Sequence, residues 1–341
     1  MSAAKVVLLS NGKPIFRYFR NHKNKRKEGY FLKNGSVMLE QLIHSFNGNC
    51  NPIWMYSGKE LKKATNDYSW DRMTHEDWNF QLYKGVHDDH EILVKKFKVA
   101  SNSCMVPLKN RCMDPLELLI TNEAAVASNM SKQKNVLKLL GCCLETVLPT
   151  LVYEFPAKGI LSHHIYRDSQ LLSWKIKLKI AVGVADAVAY LHYGMRKRFI
   201  HRHIKTEHIF LDQDYVAKLS EFQTSVPIPC GETNVDAKVF GAPHHFAPEL
   251  KTCGRYNEKS DVYNFGIVLC DILTGKNTAD LASQVAMELE SILRANLHNR
   301  SMGQEAECTK LALWCIEEDP YDRPTMKDVA RRFRLIKSFS Y

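Results

Sequence analysis

Apolar residues recur along the chain in two rhythms. In FLKNGSVMLEQLIHSF they return every three or four positions, with Leu39, Leu42, Ile43 and Phe46 at the offsets of one helical face. Asn34 or Ser36 is placed to cap that helix. A second helix is predicted from Ser57, whose Glu60 three residues on completes a capping box. Over residues 79–97 the rhythm shortens: FQLYKGV, a polar turn HDDH and EILVKKF read as paired strands. A helix is predicted near 115–131, followed by two apolar strand candidates in NVLKLLGCCLE and TLVYEF. From Leu171 onward helices dominate. WKIKLKIAVGVADAVAYLHYG is long and amphipathic, and SDVYNFGIVLCDILTG is almost wholly apolar and so expected to be buried. Strands first and helices afterwards predict an α+β class, with a small β-rich lobe and a larger helical lobe rather than alternating βαβ units.

At 341 residues, 45% hydrophobic and 25% charged, the composition is that of a globular chain and excludes collagen, disorder and small disulfide scaffolds. No apolar run is long enough for a membrane span. The opening MSAAKVVLLSNGK offers neither a convincing secretory cleavage site nor the second-position Gly of N-myristoylation, so a cytoplasmic chain is expected. The ten cysteines include no CxxC pair and read as reduced thiols. His201, His203 and His208 lie close in sequence but lack partners at metal-site spacing, so no metal is expected. The net charge of +10 is concentrated: residues 1–34 hold nine Lys or Arg against the single acid Glu28. Without interleaved aromatics this stretch reads as a solvated, mobile extension rather than a nucleic-acid binder.

Six strings stand in order along the rest of the chain: LVYEF, FIHRHIKTEHIFLD, AKLSEF, FAPEL, SDVYNFGIVL and DPYDRPTM. Together they resemble the landmarks of the protein-kinase catalytic domain, over about residues 66–337. The resemblance implies a bilobal kinase-like fold and supplies a chemical checklist: cradled phosphates, held magnesium and an oriented acceptor hydroxyl. The three positions of the phosphate-cradling glycines hold His75, Asp77 and Phe80. The strand lysine is Lys95, with Glu123 or Glu117 as its helix partner; that pair reads equally as a remnant of nucleotide binding or as a structural ion pair. In the catalytic loop, His203 stands for the Asp that orients the hydroxyl and His208 for the magnesium-ligating Asn. Imidazole is a poor ligand for so hard a cation. The D-F-G positions hold Glu221, Phe222 and Gln223. Scaffold residues of the family persist: His201, Phe222, Glu249, Asp261 and Arg323. The pattern predicts a pseudokinase. Slow serine/threonine phosphorylation through Lys95, Glu221 and His203, or ATP binding without transfer, are the competing expectations.

The basic N-terminal stretch, FLKNGS…LEQLI, GCCLE and the catalytic loop with its His208 are similar to the ZRK pseudokinases of receptor-like cytoplasmic kinase subfamily XII in plants. That resemblance implies no catalysis and no required cofactor, with weak ATP binding left open. It implies an adaptor in plant immunity whose partners are a coiled-coil leucine-rich-repeat immune receptor and a client cytoplasmic kinase or bacterial effector, with a place at the plasma-membrane surface when in complex. The expected layout is a basic extension (1–34), a helical flank (35–65), an N-lobe (66–154) and a C-lobe (155–341). Leu39, Leu42, Ile43 and Phe46 are the candidate partner-binding stripe, since apolar residues outside the core must pack on the N-lobe or on a partner. The activation segment 221–249, rich in Pro, Gly and small polar residues, is expected to be mobile, with Thr224, Ser225 and Thr233 as hydroxyls open to modification.

Overall fold

The computed structural model describes residues 4–10, 13–20, 25–46, 53–99, 106–108, 111–113, 115–166, 172–237, 246–252, 254–278, 294 and 303–338. The chain divides into two compact units, Met1–Lys132 with Leu137–Pro156, and Gln133–Val136 with Ala157–Tyr341. The first is the β-rich N-lobe and the second the helical C-lobe of a bilobal kinase-like fold.

In the first unit, strands β1 (Ala4–Ser10), β2 (Lys13–Arg20) and β3 (Ile53–Met55), with helices α1 (Lys25–Phe46) and α2 (Gly58–Ala64), precede the hairpins. Strands β4 (Met73–Glu76), β5 (Phe80–His87) and β6 (His90–Phe97) follow, then the short pair β7 (Val106–Leu108) and β8 (Arg111–Met113). Helix α3 (Pro115–Met130) and strands β9 (Leu139–Cys143) and β10 (Thr150–Glu154) complete it. One mixed sheet runs β1-β2-β3-β9-β10-β6-β5-β4. The HDDH turn closes β5 on β6 because Asp88 and Asp89 take left-handed φ of 48° and 60°, a geometry Asp tolerates and two-residue hairpins need. At Gly141 a Cβ would lie 2.1 Å from Trp54 O, so glycine is what lets β3 pack beside β9. Ser57 caps α2 through its capping box with Glu60. Leu61 and Ala64 of that helix pack with Tyr56, Tyr83, Ile92, Val94, Cys143 and Val152 in a continuous apolar cluster.

The N-terminal part departs from the expectation. Helix α1 begins at Lys25, inside the stretch expected to be a tail, and β2 runs parallel to β3 with Phe16 opposite Ile53. Asn34 is not a cap. It is buried, and its amide donates to Leu144 O at 3.0 Å and Thr146 O at 2.9 Å. That anchoring turns the helix, so the face packed inward is Val37, Met38, Leu42 and Phe46, while Ile43 is 54% exposed and Leu39 half-buried. The stripe Leu39, Leu42, Ile43 and Phe46 is therefore divided between core and solvent. α1 lies along α3, joined by Gln41 Nε2 donating to Asn122 Oδ1 at 2.8 Å and by Lys33 Nζ beside Glu117 at 2.8 Å.

The second unit packs β11 (Gly159–Ile160), α4 (Leu161–Tyr166), α5 (Trp174–Tyr193), β12 (Phe199–Ile200), β13 (Ile209–Leu211) and β14 (Ala217–Leu219) with β15 (Val226–Pro227) and β16 (Asn234–Asp236). Helix α6 (Pro248–Thr252), strand β17 (Arg255–Asn257), helix α7 (Glu258–Thr274) and two further helices, Gln304–Cys315 and Met326–Ser338, follow. α7 is the buried spine: Val262, Phe265 and Val268 are at most 1% exposed. Asn257 caps its start, and Gly275 ends it with the left-handed φ of 72° that glycine adopts freely. Among the described residues no helix is long and apolar enough to cross a membrane.

Candidate functional site

In the first unit, β6 places Lys95 between Leu82 of β5 and Leu151 of β10. Of the two acids the sequence offered, the structure sets Glu123 against it: Nζ donates to Oε1 at 2.9 Å and Oε2 at 2.8 Å, with both side chains 1% exposed. Glu117 points instead to Lys33 of α1. Tyr153 on β10 donates its hydroxyl to Glu123 Oε1 at 2.7 Å. The ammonium lies 4.2 Å from the centroid of the Phe80 ring and 5.1 Å from that of Phe97, distances at which an aromatic face attracts a cation. Phe80 fills the third glycine position of the phosphate loop and is buried, whereas Trp78 of the same turn is exposed. The roles of Phe80 and Tyr153 beside Lys95 were not read from sequence. The pairing of Phe80 with Phe97 across β5 and β6 was the available signal.

In the second unit, Asp261 at the start of α7 organises the catalytic loop. Fully buried, it accepts from His201 N at 2.7 Å, from Arg202 N at 2.8 Å and from His192 Nε2 at 2.8 Å. These bonds hold Arg202 at a left-handed φ of 72°, a conformation that costs a non-glycine residue about 1–2 kcal/mol. His201 donates from Nε2 to Ser220 O at 2.9 Å and packs its ring on Phe222. The scaffold is thus intact around substituted positions.

His203 and His208 meet ring to ring, with centroids 4.4 Å apart and planes at 82°. His208 is buried and donates from Nδ1 to His203 O at 2.8 Å. Burial above all, and then the neighbouring His203 and Lys205, push its pKa well below the ordinary imidazole value, so near neutral pH it is an uncharged ring. Glu221 has a φ of 62°, is buried, and accepts at Oε2 from Gln223 Nε2 at 3.0 Å. Where the family has a side-chain-free glycine, Gln223 puts an amide on the carboxylate that would face a cation. Among the described residues no three His, Cys, Asp or Glu side chains converge as metal ligands.

The depressed His208 pKa has a measurable consequence. The unfolded imidazole takes up a proton as pH falls through its ordinary value of about 6.5, and the folded one does not. This residue's contribution to stability is therefore complete above that pH and declines below it, by at most about 1.4 kcal/mol per pH unit until the folded pKa is reached. Denaturant melts between pH 7.5 and 5.5 should show His208→Asn losing less stability on acidification than the unsubstituted protein. Parallel curves would sink the assignment.

Over its described part the activation segment is paired with other strands of the second unit. β15 pairs with β12, and β16 pairs with β17. Arg202, whose partner in an active kinase would be a loop phosphate, donates from Nη1 to Thr224 O at 2.9 Å and stacks 4.1 Å from the Tyr256 ring centroid. Thr224 and Ser225 are buried as a result, 9% and 2% exposed. The expectation of open hydroxyls fails for both, because the β12 pairing and Arg202 pull this end of the segment inward. Thr233 is exposed at the turn before β16. Residues 238–245 of the segment lie outside the described residues.

This geometry, a sheet-borne Lys–Glu pair in one unit and an Asp-anchored loop with a buried Glu–Arg pair in the other, defines a protein-kinase domain. The profile of the protein tyrosine and serine/threonine kinase family matches residues 83–333, and the chain belongs to that family. It is 33% identical to the serine/threonine-protein kinase ZRK1 of Arabidopsis thaliana, over 94% of this chain and 95% of that one. It is 34% identical to the non-functional pseudokinase ZED1 of the same plant, over 93% of this chain and 99% of that one. Wall-associated receptor kinase-like 1, also from Arabidopsis thaliana, is 33% identical, but the match spans only 45% of its length. These relatives group the chain with the ZRK pseudokinases among receptor-like cytoplasmic kinases. The solved pseudokinase domain of BIR2, described as an immune regulator of the RLK/Pelle family, shares the fold with a TM-score of 0.63 at 21% identity, covering 89% of this chain and 95% of that one.

Proposed function

We propose that the protein is a catalytically inactive pseudokinase that serves as adaptor for a coiled-coil leucine-rich-repeat immune receptor in the cytoplasm, reporting a bacterial effector's modification of itself or of a client kinase. One observation carries the loss of catalysis. The positions for the hydroxyl-orienting Asp and the magnesium-ligating Asn hold His203 and His208, packed against each other with His208 buried and neutral, on a scaffold that is otherwise complete. A hard divalent cation wants carboxylate or amide oxygens; a buried neutral imidazole and a carboxylate engaged by Gln223 do not fit it. The full-length match to a non-functional pseudokinase supports the same reading. Slow phosphorylation is the competing function: the retained Lys95–Glu123 pair and the similarity to the serine/threonine-protein kinase ZRK1 favour it, but neither supplies the missing magnesium ligands.

For the adaptor role, the α1 surface that remains available is Leu39 and Ile43, joined by Leu32, which is 64% exposed. Leu32, Leu39 and Ile43 stand at i, i+7 and i+11, on one side of the helix. Thr233 is the activation-segment hydroxyl within reach of a modifying enzyme. Pulldown of coiled-coil leucine-rich-repeat receptors from plant tissue tests the reading. Ile43→Glu is expected to abolish capture with stability unchanged within about 0.5 kcal/mol, as for other surface substitutions. Leu42→Ala, on the buried side, is expected to lose about 2–5 kcal/mol. Undiminished capture by Ile43→Glu would remove α1 from the interface.

A further inference from the structure

We propose that Phe80 takes the place of nucleotide phosphates at Lys95, making the Lys95–Glu123 pair a latch on helix α3 that needs no ligand. The proposal rests on the non-catalytic reading and adds what occupies the old phosphate contact. An ammonium has three N–H donors to direct. Here both Glu123 oxygens draw on them, at 2.9 and 2.8 Å, and the Phe80 and Phe97 rings lie 4.2 and 5.1 Å away. The face of a phenyl ring carries negative potential, so it suits the ammonium and repels a phosphate oxygen seeking the same contact. Phe80 is also not free to leave. It is 3% exposed, stands opposite Phe97 in the strand register and packs edge-to-face with it at 6.2 Å, and His75 flanks it at 6.3 Å. Glycine at position 80 would leave that space open.

The latch reaches further than the ion pair. Tyr153 from β10 donates to the same Glu123 carboxylate, so α3 is tied to two strands of the sheet. On its other side α3 is tied to α1 through Lys33 beside Glu117 and Gln41 to Asn122. Sheet, α3 and α1 therefore form one cross-linked stack, complete without nucleotide. A surface carried on α1 would keep its form whatever the cellular level of ATP or ADP.

Two measurements on the full-length protein test this. In thermal melts, millimolar ATP, with and without magnesium, should leave the unsubstituted protein unmoved. The same ATP should raise the melting temperature of Phe80→Gly by about 2 °C, the size of a weak site becoming partly filled. Adding Lys95→Met to Phe80→Gly should cancel that rise. If the glycine variant does not fold, Phe80→Ala opens the same space. The second measurement needs no nucleotide: lysine acylation read by mass spectrometry should spare Lys95 in the unsubstituted protein and label it faster in the opened variant, by about tenfold or more as local protection is lost. Stabilisation of the unsubstituted protein by ATP, or an opened variant that neither binds ATP nor exposes Lys95, overturns the latch. Either result leaves the non-catalytic reading standing, since only phosphate transfer bears against that.

Discussion

Replacing Arg323 by alanine is expected to lower stability by about 3–5 kcal/mol. All five guanidinium N–H groups have acceptors. Nη1 and Nη2 hold the two Glu249 oxygens at 3.1 and 2.9 Å, and Nε, Nη1 and Nη2 also reach the carbonyls of Glu317, Lys259 and Glu318 at 2.7, 3.0 and 2.9 Å. Ser260 adds a bond to Glu249 at 2.7 Å. The guanidinium thus joins α6, α7 and the loop before the helix Met326–Ser338 at a site 2% exposed. Alanine would take the guanidinium from the buried Glu249 carboxylate and one donor from each of three carbonyls. The melting temperature should fall by about 5–10 °C. Arg323→Lys should recover little, because an ammonium cannot make the planar two-point contact. Pairing Arg323→Met with Glu249→Met should recover part of the loss, since the penalty lies mostly in the stranded charge. A loss below about 1 kcal/mol in the single variant would show that the pair is not what holds these elements together.

What could be read in the sequence was what local chemistry decides. The capping box at Ser57 and Glu60, the β5–β6 hairpin around HDDH and the apolar α7 each depend on residues within a turn or two, and each formed where expected. The start of α1 is not legible locally because the Asn34 side chain has two possible uses, and the choice is made by the carbonyls of Leu144 and Thr146, more than a hundred residues away. The same turn of the helix explains why Leu42 went inward and Ile43 outward. At the site, the family resemblance told which positions had changed, but not what the new side chains do. Phe80 was legible as a missing glycine and not as a ring on Lys95. His203 and His208 were legible as lost ligands and not as partners of each other. Thr224 and Ser225 looked like open hydroxyls because loop composition says nothing of Arg202, whose bond to Thr224 O draws the chain in. Apart from the His203–His208 pair, which closes within one loop, the missing information is a contact between segments well separated along the chain.

The purified protein is expected to incorporate no labelled phosphate above a heat-inactivated blank, and His203→Asp is expected to leave it there. A positioned general base supplies typically a 10²–10⁴-fold effect, so restoring it matters only where the other requirements of transfer are met. Here they are not. With Asp at 203, His208 would still be a buried neutral ring at the magnesium position, and Gln223 would still engage the Glu221 carboxylate. Charge neutralisation by the metal is central to phosphoryl transfer, and a new carboxylate beside an uncharged imidazole does not create a metal site. The Asp would instead lose the edge-to-face contact that His203 makes with His208. Combining His203→Asp with His208→Asn restores the hydroxyl-orienting carboxylate and the loop's magnesium-ligating amide but leaves the Glu221–Gln223 pair and the glycine-free phosphate loop, so the double variant too is expected to stay at background. Adding Glu221→Asp and Gln223→Gly completes the magnesium ligands and is the first combination from which weak incorporation is expected, provided the phosphate loop is opened at Phe80 as well. Incorporation by the unsubstituted protein, or its appearance on changing His203 alone, would show that Lys95 and Glu221 still perform chemistry and that the protein is a slow kinase.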